Sequence, residues 1–294
     1  MFVVLLVGAA ARARGMLTKE STDGLGRLAI EVTLPFLYFS TLATSLNREL
    51  FLSIWPLPLF AIALTLFAYL ISRLVAFQLK LKLNERGTFI FLGAFANYGF
   101  LAIPLVFALF GEEGLVRVVV FNLGITFLYW TFGIAILSAP RVKGLKLLKN
   151  LFNNATIALL LGVTAGITAF PIPQFVLEVT KLIGGATIPL ALIVVGSILA
   201  HPTAQKTPWR TILSLAACRL MLIPGLVLLL VNFLSLPKML AAIIVLQAAL
   251  PSASTTPMLT RKFEANAELA ASGVFFTTLF SLFTVPLFLS LVLR

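Results

Sequence analysis

A chain of 294 residues that is 60% hydrophobic and 11% charged, with a mean hydropathy of +1.08, excludes an ordinary soluble domain. Its net charge of +12 would suit a nucleic-acid binder, but the basic residues flank apolar segments, where the orientation signals of membrane proteins sit. The single cysteine, Cys218, excludes an intramolecular disulfide and falls inside an apolar segment as a small packing residue.

In chain order, helices are predicted near 1–11, 25–46, 53–78, 88–110, 116–138, 153–170, 180–200, 210–234, 238–260 and 269–293. A spanning helix needs ~20 largely apolar residues, so ten spans use about 200 and leave room only for short loops. The first run, Met1 to Ala11, is too brief to span and reads as a clipped first helix. It does not read as a signal peptide, because Arg12 and Arg14 follow the apolar stretch and no basic region precedes it. Gly162 and Gly166 have the small-residue spacing of close helix packing. Tyr129 and Trp130 fall at the cytoplasmic end of the fifth span, where interfacial aromatic belts are expected.

The second half of the chain repeats the first at an offset of about 154 residues. Gly8 falls on Gly162, Pro35 of LPFLYFSTLAT on Pro189 of IPLALIVVGSI, and Trp55 on Trp209. Pro104 lands within one residue of Pro257. The repeats run over 1–140 and 150–294, each with five spans. Of the 22 basic residues, sixteen fall in alternate loops, five in the others, and Arg219 inside a span. The positive-inside rule therefore places both termini outside and the RVKGLKLLKN loop in the cytoplasm of a plasma-membrane protein. An odd number of spans per repeat inverts one half against the other. The expected fold is an all-α polytopic membrane protein, ten transmembrane helices in two inverted five-helix repeats, with broken, crossing helices 4 and 9.

The breaks carry the chemistry. The fourth span contains Gly93, Asn97, Tyr98, Gly99 and Pro104; the ninth brackets Ser252, Ser254, Thr255 and Thr256 between Pro251 and Pro257. Two prolines six residues apart cannot sit in one regular helix, and unwound backbone at membrane depth must be buried in protein or line a wet cavity. Asn97 sits opposite Pro251 at the repeat offset, so both breaks fall at equivalent depth. The candidate substrate-binding residues are Asn97, Tyr98, Gly99, Pro104, Gln247, Pro251, Ser252, Ser254, Thr255, Thr256 and Pro257. Asn122 joins them, facing either the cavity or a neighbouring helix. Half-helices starting near Phe100 and Pro257 would aim their positive N-termini at the crossing, which suits a carboxylate. Neither broken span carries Asp or Glu near its break, and Arg219 adds positive charge inside the membrane. Arg219 serves either the substrate or an intramembrane charge pair with Glu31.

With these motifs in view, the chain resembles the auxin efflux carrier family in its short prokaryotic form, essentially end to end. The resemblance rests on LPFLYFSTLA, on Asn97-Tyr98-Gly99-Phe100 followed by Pro104, on TIPLALIVVGSIL, and on the Pro251 segment leading into RKFEANAELAASGVFFTTLFSLFTVP. It implies a homodimer whose scaffold helices 1, 2, 6 and 7 support a moving transport domain of helices 3–5 and 8–10. It further implies elevator-type alternating access, small carboxylate substrates such as malate or malonate, and a crossing built from Asn97, Pro104 and Pro257. The long cytoplasmic loop of the plant carriers is replaced by about a dozen residues, so regulation through such a loop is not expected.

Rival classes fit less well. A cation or proton exchanger of the same inverted-repeat fold needs carboxylates at the crossing, and the sole histidine, His201, lies in a loop. An intramembrane enzyme would need a motif such as HExxH or an aspartate pair, and neither is present in the sequence. No cofactor or metal is expected beyond a coupling ion. Na⁺ remains open because unwound carbonyls and amides can hold it, and H⁺ is less favoured. An anion leaving a cell that is negative inside gains ~2.3 kcal/mol per charge per 100 mV, so export needs no coupling ion whereas uptake does.

Overall fold

The computed structural model describes residues 2–138, 149–200 and 207–293. Most of the basic loop (141–148), together with His201, Lys206 and Arg294, lies outside the described residues. The helices are α1 (Phe2–Ala13), α2 (Lys19–Ser45), α3 (Arg48–Gln78), α4 (Leu83–Ala94), α5 (Tyr98–Ser138) and α6 (Asn154–Thr168). They continue with α7 (Gln174–Leu199), α8 (Trp209–Phe233), α9 (Lys238–Ala249), α10 (Thr256–Lys262) and α11 (Ala267–Leu293). Among the described residues there are no strands, only one isolated bridge between Ala96 and Ser252. Each apolar stretch predicted as a helix is helical over most of its length. Six of the helices (α2, α3, α5, α7, α8 and α11) are by themselves long and apolar enough to cross a membrane. The protein is a polytopic, all-helical membrane protein.

Local chemistry sets where these helices bend. α5 has 41 residues, about 60 Å at helical rise and twice the thickness of a hydrocarbon core. It is interrupted at Gly111, whose φ of 58° and ψ of −149° suit a residue without a Cβ. Four π-helical turns occur among the described residues: Ala29–Thr33, Tyr98–Ala102, Tyr129–Gly133 and Cys218–Leu222. Three of them end two residues before a proline, at Pro35, Pro104 and Pro224. Proline has no N–H to donate and its ring presses on the carbonyl one turn back, so a widened turn ahead of it relieves the clash.

The chain divides into two compact units. Unit 1 comprises Met1–Leu59, Gly99–Thr126 and Asn150–His201; unit 2 comprises Phe60–Tyr98, Phe127–Lys149 and Pro202–Arg294.

In unit 1, glycines let helices approach closely. A Cβ on Gly8 of α1 would collide with the Ile193 backbone of α7, and one on Gly196 with the Leu5 carbonyl. A Cβ on Gly162 of α6 would lie 2.9 Å from Leu42 Cβ and 3.2 Å from Phe39 Cα of α2. Gly166, one turn on, would come within 2.6 Å of the Leu42 carbonyl, so the small-residue pair packs as its spacing predicts. Buried hydroxyls fasten α2 to α7: Thr187 donates to Thr33 at 2.9 Å, and Thr22 shares a hydrogen bond with Ser197 at 2.7 Å.

In unit 2, α11 packs along α9 and α10 and also touches α4 and α8. A second close approach sits at Gly93 of α4, where a Cβ would meet the Ser72 side chain of α3. An aromatic cluster fills the other side of α4. Tyr129 lies at its centre, with ring centroids 5.4 Å from Phe91, 5.3 Å from Phe95 and 5.7 Å from Tyr98. Tyr129 is therefore a buried core residue rather than part of an interfacial belt, while Trp130 beside it is half-buried.

The close α6–α2 approach generates a prediction. Gly162→Val should lower the thermal unfolding temperature in detergent, by about 1–3 kcal/mol of overpacking. Gly185→Ala, where an added Cβ meets nothing within 4 Å, should leave it unchanged.

Candidate functional site

Two helix interruptions in unit 2 meet back to back. α4 stops at Ala94 because the chain turns extended at Phe95 (φ −104°, ψ 113°). α9 stops at Ala249 because Leu250 precedes Pro251, which drives it to an extended conformation (φ −63°, ψ 149°). The two extended pieces pair antiparallel: Asn97 N donates to the Pro251 carbonyl at 2.8 Å, and Ala253 N to the Phe95 carbonyl at 3.0 Å. Backbone that would otherwise be stranded at membrane depth is thus satisfied by the partner break. The register places residues 154 apart, Asn97 and Pro251, directly opposite each other.

Side chains complete the junction. Asn97 is buried, and its amide nitrogen donates to Ser254 Oγ at 2.5 Å. Ser252 is fully buried, with Oγ donating to the Leu92 carbonyl at 2.8 Å and its N–H to Thr277 Oγ1 at 3.2 Å. The Tyr129 hydroxyl bonds to Thr255 Oγ1, and Thr256 Oγ1 turns back on the Ala253 carbonyl at 2.6 Å. Ser254, Thr255, Pro257 and Tyr98 are half-buried and form the lip of the junction in unit 2. Pro251 is buried beneath it.

Arg219 is the charge at the junction. It is 1% exposed and spends its donors on helix ends: Nε to the Leu250 carbonyl at 2.9 Å, and Nη2 to the Gln247 carbonyl at 3.1 Å. Nη1 reaches the Gly93 carbonyl at 3.3 Å. These carbonyls belong to the last turns of α9 and α4. Of the two roles open to Arg219 in the sequence, the charge pair with Glu31 is not formed: Glu31 is exposed on α2, and its backbone carbonyl accepts from Asn154 at 2.9 Å. A guanidinium inside a membrane protein needs acceptors but not a carboxylate, and helix C-termini offer carbonyls with no intrahelical donor. Gln247 is 1% exposed, and both polar atoms of its amide lack a partner among the described residues.

The remaining predicted residues fall elsewhere. Asn122 is fully buried in unit 1, where its amide nitrogen donates to the Tyr38 hydroxyl at 3.1 Å and its Oδ1 has no partner among the described residues. It faces a neighbouring helix. Pro104 is buried in unit 1, just past the π-turn that opens α5. The structure therefore gathers Asn97, Tyr98, Gln247, Pro251, Ser252, Ser254, Thr255, Thr256 and Pro257 in unit 2, and sets Gly99, Asn122 and Pro104 in unit 1. Sequence reasoning missed Tyr129, Thr277 and the Gly93 carbonyl. Only the last carried a signal: Gly93 and Gln247, whose carbonyls both accept from Arg219, lie 154 residues apart.

Two substitutions test the junction's internal bonds. Thr277→Val should cost about 1–3 kcal/mol in unfolding free energy, because it leaves the buried Ser252 N–H without an acceptor. Thr278→Val should cost much less, because its buried hydroxyl has no partner among the described residues. Thermal melts of the two variants check the difference.

Comparison with known proteins follows the same lines. A family model described as membrane transport protein matches residues 1–147 and 140–289. A protein of Methanocaldococcus jannaschii named "uncharacterized transporter" is 27% identical over 297 residues, spanning 98% of this chain and 95% of its own length. A second of that name, from Methanothermobacter thermautotrophicus, is 27% identical over 296 residues, spanning 98% and 94%.

Proposed function

Since the chain belongs to the auxin efflux carrier family of membrane transport proteins, we propose that it is a secondary transporter of small organic anions, mono- or dicarboxylates. The observation that carries this reading is the junction of unit 2. It combines a buried arginine, an asparagine amide and the half-buried hydroxyls of Ser254 and Thr255, with no acidic side chain in either break. Fixed positive charge beside neutral donors and acceptors favours a carboxylate over a cation. The half-buried lip of Tyr98, Ser254 and Thr255 is where the substrate's polar end docks. A cation or proton exchanger would lack a titrating carboxylate here.

The inverted-repeat reading is supported by contacts that exchange under the 154-residue shift. Gly8 packs on Ile193, and the shifted pair, Gly162 and Phe39, pack in the same way. Thr33 bonds to Thr187, its own equivalent, as Asn97 bonds to Pro251. Five spans per repeat then place both termini outside the plasma membrane and the central basic loop in the cytoplasm.

In this reading α1, α2, α6 and α7 form the scaffold and dimerise, and the helices carrying the junction move past them as an elevator. Unit 1 gathers these four helices and takes in Gly99–Thr126 as well. An elevator step would therefore break bonds such as that between Asn122 and Tyr38. Export of an anion down the membrane potential needs no coupling ion.

Asn97→Ala tests the site. It deletes the amide that meets Ser254 and little core volume, so the protein should fold and melt within about 1 kcal/mol of the parent. Uptake of labelled dicarboxylates into proteoliposomes should fall to background. Transport at the parent rate would remove Asn97 from the substrate site.

A further inference from the structure

We infer that Arg219 is a resident cation: a positioning residue whose guanidinium holds the C-terminal ends of α4 and α9 together and supplies the positive charge that those ends require. The inference extends the proposed anion transport and rests on that reading only for its consequence, the sign of charge favoured at the junction.

Two helix C-termini directed at one buried point bring together partial negative charges and carbonyls without intrahelical donors. In a low-dielectric interior that arrangement needs a cation or a set of donors. Where transporters break helices at the midplane, a bound metal ion can meet this need through the same kind of carbonyls. Here a side chain does. Three guanidinium nitrogens reach three carbonyls, two from α9 and one from α4, at 2.9–3.3 Å. The planar fork of arginine can serve several carbonyls at once, which an ammonium cannot do in the same geometry. Arg219 sits in the π-helical turn Cys218–Leu222, which ends two residues before Pro224, and its side chain is buried. Its position one repeat back is Thr65, whose hydroxyl is spent on its own helix at Ala61. A single guanidinium therefore serves equivalent carbonyls of both halves, Gly93 and Gln247. The negative helix ends are neutralised from within before any substrate arrives. The open lip on the other side of the bridge then presents no net negative field to an incoming anion.

The test uses the purified full-length protein and thermal unfolding in detergent. The parent should melt at the same temperature in sodium, choline and millimolar guanidinium salts. Arg219→Ala should melt several degrees lower, and guanidinium should recover part of that loss where sodium and choline do not. Recovery that is equal with all three cations, or nil with all three, overturns the inference, as does an unshifted melt. If the alanine variant is not recovered from membranes, Arg219→Lys and Arg219→Met decide. The lysine variant should be the more stable, and a methionine variant that equals or exceeds it shows that the charge is not what matters. None of these melts requires a substrate. If no carboxylate binds even the parent protein, the transport reading fails while the guanidinium result still stands.

Discussion

A positive charge inside a membrane protein must be paid for locally, and the way Arg219 is compensated organises the centre of this molecule. Its partners are carbonyls that exist only because two helices stop, so the interruption of α4 and α9 and the burial of the arginine depend on each other. Without the breaks those carbonyls would be engaged within their helices and the guanidinium would have nowhere to donate. Without the guanidinium two negative helix ends would face each other across a dry interior. The antiparallel bridge between Ala96 and Ser252 then fixes the register in which the broken ends meet.

From that constraint the rest of unit 2 follows. Pro251 forces Leu250 extended, which exposes the Leu250 carbonyl to Arg219 and aligns Asn97 with the Pro251 carbonyl. Ser252 is consumed in holding the junction to α4 and α11, while Ser254 and Thr255 remain half-buried at its lip. The aromatic cluster around Tyr129 backs the same segment and anchors Thr255 through the Tyr129 hydroxyl. Buried and half-buried polar side chains thus alternate along one short run.

Much of this was legible in the sequence, and the reason is periodicity. The residues that mark the 154-residue offset are ones that geometry makes hard to replace: Gly8, where a Cβ would strike the Ile193 backbone, and Gly162, where it would crowd Leu42 and Phe39. The breaks were readable because Pro251 and Pro257 cannot share a regular helix. Long-range partners were not readable. Arg219 finds backbone carbonyls, which carry no residue identity, so the sequence offered only a substrate or the opposite charge of Glu31 as its partner. Tyr129 resembled an interfacial residue because only the fold brings Thr255 to its hydroxyl. Asn122 was ambiguous for the same reason, its partner Tyr38 lying 84 residues away.

The central claim is that this junction, with its charge already in place, binds a carboxylate. The most direct measurement is thermal stabilisation of the purified protein across mono- and dicarboxylates, in sodium and in choline buffers, because any ligand of the folded state raises its apparent stability by mass action. Carboxylates should raise the melting temperature, and by the same amount in both buffers. No response to any carboxylate, together with stabilisation by a cation alone, would contradict it.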